Sequence, residues 1–198
     1  SFFGARVMGQ PEAVSVVVDR IAMLKAGLQD PGKPIGVFLF AGPTGTGKTE
    51  LAKATAEYLF GSPDRMIRLD MSEFQTTDSL SKILGDGTAG ESGSLVARVR
   101  KQPFSLILLD EFEKSHPNVW DLFLQVFDDA RLTDAAGQTA DFRHCIVILT
   151  SNLGATAHRT GGFGFAPPGD LFSSEQVMRA IAQTYRPEFQ NRLDRVVV

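Results

Sequence analysis

Apolar residues dominate positions 35–41, 104–109 and 144–149, where Ser105 and His144 are the polar exceptions, and recur at helical spacing in the segments between. Near-continuous runs of this length suit strands covered on both faces, as in a parallel sheet. Residues 66–71 predict a further strand, and Val196-Val197-Val198 reads as the middle of another. Pro11 stands at a first helical position, and Val14, Val17, Val18, Ile21, Ala22 and Leu24 follow at helical spacing up to Gly27. More helices are expected over 48–57, from Ser72 to Gly85, from Leu95 to Gln102, over 117–127 and from Ser173 to Tyr185. In the helix over 117–127, Trp120, Phe123, Leu124 and Phe127 share one face, which predicts a core face rather than a binding platform; His116 before it reads as a capping or turn residue. Turn chemistry separates the elements at 30–34, at Gly61-Ser62-Pro63, in the Gly-rich stretch 85–94, in a hairpin or turn over 132–139, and in the Gly- and Pro-rich stretch 154–169. Strands alternating with helices predict one α/β domain of three layers, with a central parallel sheet between helices.

The link between the first strand and the helix after it carries the candidate chemistry. Gly42-Pro43-Thr44-Gly45-Thr46-Gly47-Lys48-Thr49 fits the phosphate-binding pattern G-x-x-x-x-G-K-[ST], in the strand–loop–helix setting the pattern requires. Glycine at 42, 45 and 47 leaves no Cβ to block the backbone, so successive amides can turn inward around a phosphate, and the helix start adds its positive dipole end. Lys48 is placed to reach β- and γ-phosphate oxygens, Thr49 to ligate Mg2+, and Glu50 follows among the expected nucleotide-binding residues. The strand over 104–109 then delivers Asp110 and Glu111 at its C-terminal end. Asp110 is expected to hold the Mg2+ through its water shell opposite Thr49, and Glu111 to polarise the attacking water as general base. Standing alone, an acidic pair after a strand would suit a helix N-cap equally well. Thr150-Ser151-Asn152 ends the strand over 144–149, which makes Asn152 the candidate to orient the water or touch the γ-phosphate, or otherwise a turn-forming Asn.

Composition narrows the function classes. The chain has 198 residues, 43% of them hydrophobic, enough for one sizeable core. Its formal net charge of −3 gives no electrostatic footprint for nucleic acid, and no nucleic-acid partner is expected. The locally basic Arg98-Val99-Arg100-Lys101 reads as a solvated helix end with cations at the negative pole of the dipole. No apolar stretch reaches the length of a membrane span, and no signal pattern opens the chain, so no membrane partner is expected. The single cysteine, Cys145, reads as a buried strand thiol and suits a reducing compartment, so a cytoplasmic location is the expectation. Asn118-Val119-Trp120-Asp121 lacks the Lys of a guanine-reading N-K-x-D, which favours ATP over GTP. A start at Ser1 and a stop in mid-strand suggest a fragment of something larger.

Taken together, Val7-Met8-Gly9-Gln10-Pro11-Glu12-Ala13-Val14, the phosphate loop, Leu108-Leu109-Asp110-Glu111-Phe112-Glu113-Lys114-Ser115-His116-Pro117, Leu132-Thr133-Asp134, Thr150-Ser151-Asn152-Leu153-Gly154 and Arg186-Pro187-Glu188-Phe189-Gln190-Asn191-Arg192-Leu193-Asp194 closely resemble the AAA+ module of Clp-type unfoldases. The resemblance covers nearly the whole chain in order, and is strongest to the second, C-terminal ATPase module of ClpB-like disaggregases. It implies that residues 1–198 are the large subdomain of a P-loop NTPase, ending before the small helical lid that supplies sensor 2. Val7 and Met8 would line the adenine pocket, Lys48 and Thr49 belong to Walker A, Asp110 and Glu111 form the Walker B pair, and Asn152 is sensor 1. Arg192 would be the arginine finger that reaches the nucleotide of a neighbouring subunit, which implies a homo-hexameric ring that hydrolyses ATP to ADP and acts on a protein substrate or adaptor.

The resemblance also shows a departure. Clp modules carry a Gly-aromatic-Val-Gly pore loop, whereas Gly87-Thr88-Ala89-Gly90 is the nearest match, in a loop that looks shortened, and no aromatic lies between Gly85 and Pro103. An aromatic offers large contact area to any substrate, so Thr88 is expected to grip less well. The resemblance therefore leaves two expectations: a ring ATPase that unfolds or remodels proteins, and an ATP-dependent ring scaffold that regulates a partner without threading it.

Overall fold

The computed structural model describes residues 17, 19, 22, 23, 27, 31–42, 46–88, 93–153 and 174–197. The strands are β1 (Gly36–Ala41), β2 (Met66–Asp70), β3 (Leu106–Asp110), β4 (Arg131–Thr133), β5 (Thr139–Asp141), β6 (Ile146–Ser151) and β7 (Arg195–Val197). The helices are α1 (Thr46–Phe60), α2 (Leu80–Leu84), α3 (Leu95–Lys101), α4 (Pro117–Asp129), α5 (Ser174–Thr184) and α6 (Pro187–Gln190). β2, β3, β6, β1 and β7 lie side by side in that order, all parallel, while β4 and β5 pair as a separate antiparallel hairpin.

Alternation along the central strands sorts their side chains into two cores. Val37, Leu39, Ile107, Leu109, Val147 and Leu149 point to one face, packed on residues of α2 through α6, among them Ile83, Val99, Phe123, Ile181 and Phe189. Phe38, Phe40, Leu106, Leu108, Ile146 and Ile148 point to the other, packed on Leu51, Ala52, Ala54 and Ala56 of α1 and on Val17. This is the three-layer α-β-α architecture expected from the sequence. Each such large apolar side chain contributes about 1.5–3 kcal/mol relative to an exposed one, which fixes the strand ends in one edge. On the first face Phe112, Trp120, Tyr185 and Phe189 form a single aromatic cluster, with ring centroids 4.7–6.3 Å apart.

Most predicted elements appear within a residue or two of their expected ends. His116 caps α4, its Nδ1 accepting from the Asn118 amide at 3.1 Å. Arg98, Arg100 and Lys101 occupy the last turn of α3, and residues 131–141 form the predicted hairpin. On α4, Trp120, Phe123 and Phe127 are buried together with Val119 and Val126, while Leu124 is only partly buried.

Two segments differ. The helix expected from Ser72 to Gly85 is broken into 3-10 turns at Met71–Glu73 and Thr77–Ser79, with only Leu80–Leu84 as α-helix. Its carbonyls are taken by other partners: that of Phe74 accepts from the His116 amide at 2.7 Å, and that of Glu73 from Lys82 Nζ at 3.0 Å. The strand expected over 144–149 begins at Ile146 and runs on to Ser151, because Cys145 N closes a turn on Phe142 O at 3.0 Å and His144 stacks on Phe104. Cys145 is fully buried just ahead of that strand, and burial pushes its thiol up to about 12. Most of the helix expected up to Gly27 lies outside the described residues, as do Val7, Met8, Pro43, Thr44, Gly45, Ala89, Gly90 and the stretch 154–169. Among the described residues no helix is long and apolar enough to cross a membrane.

Candidate functional site

β6 lies between β1 and β3, and this placement builds the site. The parallel register sets Ala41 beside Ser151 and Leu109 beside Leu149, so the loop leaving β1, the polar end of β6 and the carboxylates after β3 meet at one sheet edge. Gly42 leaves β1 at φ +151, where a Cβ would stand 4.0 Å from Lys48 Cε. That distance is ordinary van der Waals contact, so it is the positive φ of the turn, rarely adopted by residues with a side chain, that calls for glycine.

Lys48 is 4% exposed. Its Nζ donates to the carbonyls of Gly42 and Ser151, each at 2.9 Å, and lies 3.5 Å from Asn152 Oδ1. Burial lowers its pKa, and the carboxylates of Glu113, Asp110 and Glu111 act in the opposite sense. Asn152 then passes the contact on, its Nδ2 donating to Glu111 Oε1 at 3.1 Å. Only this orientation of the amide gives the ammonium an acceptor and the carboxylate a donor. The Asn152 backbone N–H donates to Glu113 Oε1 at 3.2 Å, and Lys114 Nζ pairs with Glu111 Oε2 at 3.0 Å.

Asp110 and Thr150 continue the α1-facing rows of their strands, Leu106-Leu108 and Ile146-Ile148. Thr150 Oγ1 donates to Asp110 Oδ1 at 2.5 Å and accepts from the Glu111 amide at 3.0 Å, while Arg68 Nη2 pairs with Asp110 Oδ2 at 2.8 Å. Glu111 sits at φ 56, ψ 50, a left-handed conformation that costs a non-glycine residue on the order of 1 kcal/mol and that the Thr150 contact helps to hold. Such strain is tolerated where it aims a functional side chain.

The structure thus gathers Lys48, Asn152, Glu111 and Asp110, with Thr49 beside Lys48 in the first turn of α1. Thr49 and Asp110 offer only oxygen, the donor type Mg2+ prefers, and Mg2+ usually takes one or two protein oxygens plus phosphate and water. Glu50 lies on the exposed side of α1, 3.6 Å from Lys53, away from these contacts. Arg192 contacts Asp128 of α4 and the Glu188 carbonyl instead. Arg68, Glu113, Lys114 and the hydroxyl of Thr150 were not singled out by the sequence. Arg68 reaches Asp110 because β2 pairs with β3 with Asp70 beside Asp110, a register that the sequence pattern does not carry.

The family model for the AAA domain (Cdc48 subfamily) matches residues 33–196. Chaperone protein ClpB of Vibrio vulnificus (strain YJ016) is 51% identical over 197 residues, 98% of this chain and 23% of that protein. The ATP-dependent Clp protease ATP-binding subunit ClpC of Staphylococcus epidermidis (strain ATCC 12228 / FDA PCI 1200) is 46% identical over 202 residues, covering 98% of this chain and 25% of its own length. The S. cerevisiae Hsp104-ADP complex superposes with a TM-score of 0.83 and 41% identity, over 98% of this chain and 34% of that one. The chain spans about a quarter of the length of the curated relatives it matches. The sheet order, the phosphate loop with its buried lysine, and the agreement over almost the whole length place the chain in the AAA domain family, as an AAA+ module of Clp type.

Proposed function

We propose that this module binds ATP with Mg2+ at the edge formed by β1, β6 and β3 and hydrolyses it within a homo-hexameric ring, where Arg192 of one subunit serves the nucleotide of the next. The proposed work is unfolding or remodelling of a protein substrate. The observation that carries this reading is Asn152, which contacts both Lys48 and Glu111. One small side chain thereby links the phosphate-binding cation to the candidate base.

On ATP binding, Lys48 exchanges the carbonyls of Gly42 and Ser151 for β- and γ-phosphate oxygens, trading neutral acceptors for charged ones, which bind about twice as strongly. Glu111, held by the Asn152 amide, accepts a proton from the attacking water at its carboxylate. Asp110, fixed by Thr150, presents an oxygen toward the α1 face, where Thr49 begins the helix. Mg2+, when bound, neutralises charge developing on the phosphate oxygens.

A second reading, a ring scaffold that does not thread polypeptide, is favoured by one observation. Thr88 is exposed, and its amide is tied to Asp86 Oδ1 at 2.8 Å, while the Leu84 carbonyl accepts from the Ala135 amide of the hairpin at 2.8 Å. Leu84 and Thr88 are thus held in place, and the sequence between Gly85 and Pro103 offers no aromatic. Unfolding of a tagged fluorescent reporter by the full-length protein separates the two readings. Slow ATP-dependent unfolding is expected, accelerated roughly three- to tenfold by Thr88→Tyr at unchanged ATPase rate, the range that 0.5–1.5 kcal/mol of aromatic contact gives. If neither protein unfolds the reporter while both hydrolyse ATP, the scaffold reading holds instead.

A further inference from the structure

Resting on the reading of Arg192 as the finger, we propose that Asp128 is its positioning residue, holding the guanidinium ready for the neighbouring subunit's nucleotide. Asp128 lies in the last turn of α4, next to Asp129, with no basic residue in that turn. Carboxylates at the negative end of a helix dipole are unfavourably placed unless something compensates them. For Asp128 the compensation is Arg192, whose Nε donates to Oδ1 at 2.5 Å.

The backbone beneath Arg192 is fixed on both sides. Phe189, fully buried, sits in the aromatic cluster with Phe112, Trp120 and Phe127, and the Arg192 amide donates to its carbonyl at 3.1 Å. Two residues on, Asp194 is bound to β1, its amide donating to Val37 O at 2.7 Å and its Oδ2 accepting from Val37 N at 2.6 Å. What freedom remains is in the arginine side chain, which is about one-third exposed. Asp128 and the Glu188 carbonyl remove it by taking Nε and Nη1.

A guanidinium has five N–H donors in one plane. Asp128 and Glu188 use two of its nitrogens, and among the described residues nothing engages Nη2. The anchor therefore takes Nε and one terminal nitrogen, Nη1, and leaves the other terminal nitrogen, Nη2, for a phosphoryl oxygen. A carboxylate that masked the finger would be expected to take Nη2 as well. Because α4 begins directly after the turn that follows Glu111, one rigid element carries Asp128 from the subunit's own site to the finger that serves the next one.

The test uses the full-length assembled protein. Asp128→Ala is expected to lower kcat roughly ten- to a hundredfold, the loss that follows when a transition-state group is misplaced by about an ångström, with ATP affinity and ring assembly unchanged. Asp128→Glu should recover most of that loss, Asp128→Asn should fall between, and Asp128→Ala should cost nothing further when added to Arg192→Ala. A parent-like or increased kcat in Asp128→Ala, alongside a slow Arg192→Ala, would overturn the proposal while leaving the finger in place. An unchanged rate in Arg192→Ala would overturn the finger assignment itself and this proposal with it.

Discussion

The Arg192→Ala protein is expected to form rings and bind ATP, and to hydrolyse it about 10³- to 10⁵-fold more slowly than the parent. A loss of that size corresponds to roughly 4–7 kcal/mol of barrier, more than any surface ion pair supplies. Among the described residues the Arg192 side chain meets Asp128 and the Glu188 carbonyl, on the flank formed by α4 and α6, and makes no hydrogen bond or ion pair with Lys48, Asp110, Glu111 or Asn152. Removing it should therefore leave the subunit's own nucleotide contacts intact. The Asp128 pair is part-exposed, so its loss costs the fold at most about 1 kcal/mol. Phosphate release measured alongside sedimentation of the ring separates a catalytic defect from an assembly defect. A parent-like rate in well-formed Arg192→Ala rings would remove the finger from the account.

Glu111→Gln is expected to lower turnover by about 10²- to 10⁴-fold while ATP stays bound. The substitution keeps the shape and leaves an amide oxygen that still accepts from Asn152 Nδ2, so the left-handed turn and the link to Lys48 should persist. It removes the negative charge paired with Lys114 and the ability to take a proton from water. Binding followed with a fluorescent ATP analogue, and chemistry followed in a single turnover, should change independently. Rapid single-turnover hydrolysis by Glu111→Gln would mean that another group is the base.

Much of this site was legible in the sequence because its parts are local. The phosphate loop lies between an apolar strand and a helix, and Asp110-Glu111 follows an apolar strand directly, so spacing alone places those residues at strand ends. The partners that orient them are not local. Thr150 meets Asp110 across 40 residues of chain, and Arg192 meets Asp128 across 64. Those contacts depend on the order of strands and on helix packing, which a sequence pattern does not carry. The same is true of the segment after β2. A helix was expected there from spacing, but the His116 amide takes the Phe74 carbonyl and the Lys82 ammonium takes the Glu73 carbonyl, and tertiary partners outweigh helical propensity.

Lys48 shows how the buried site balances its charges. Its ammonium faces three carboxylates, and two backbone carbonyls and Asn152 Oδ1 accept from its three donors. A buried ammonium with neither would be costly. The polar network at the strand ends thus spares the lysine from standing uncompensated, and among the described residues its hydrogen bonds go to the ends of β1 and β6 and the residues that follow them.

The central claim is that each nucleotide site is completed by its neighbour, and subunit mixing tests it most directly. Glu111→Gln subunits lack the base but keep the finger, and Arg192→Ala subunits lack the finger but keep the base. Each preparation alone should be nearly inactive. In randomly mixed head-to-tail rings at equal amounts, half the sites keep the base and half of those meet an intact finger, so activity should return to about a quarter of the parent value. Mixed rings that remain as inactive as the two separate preparations would contradict the account.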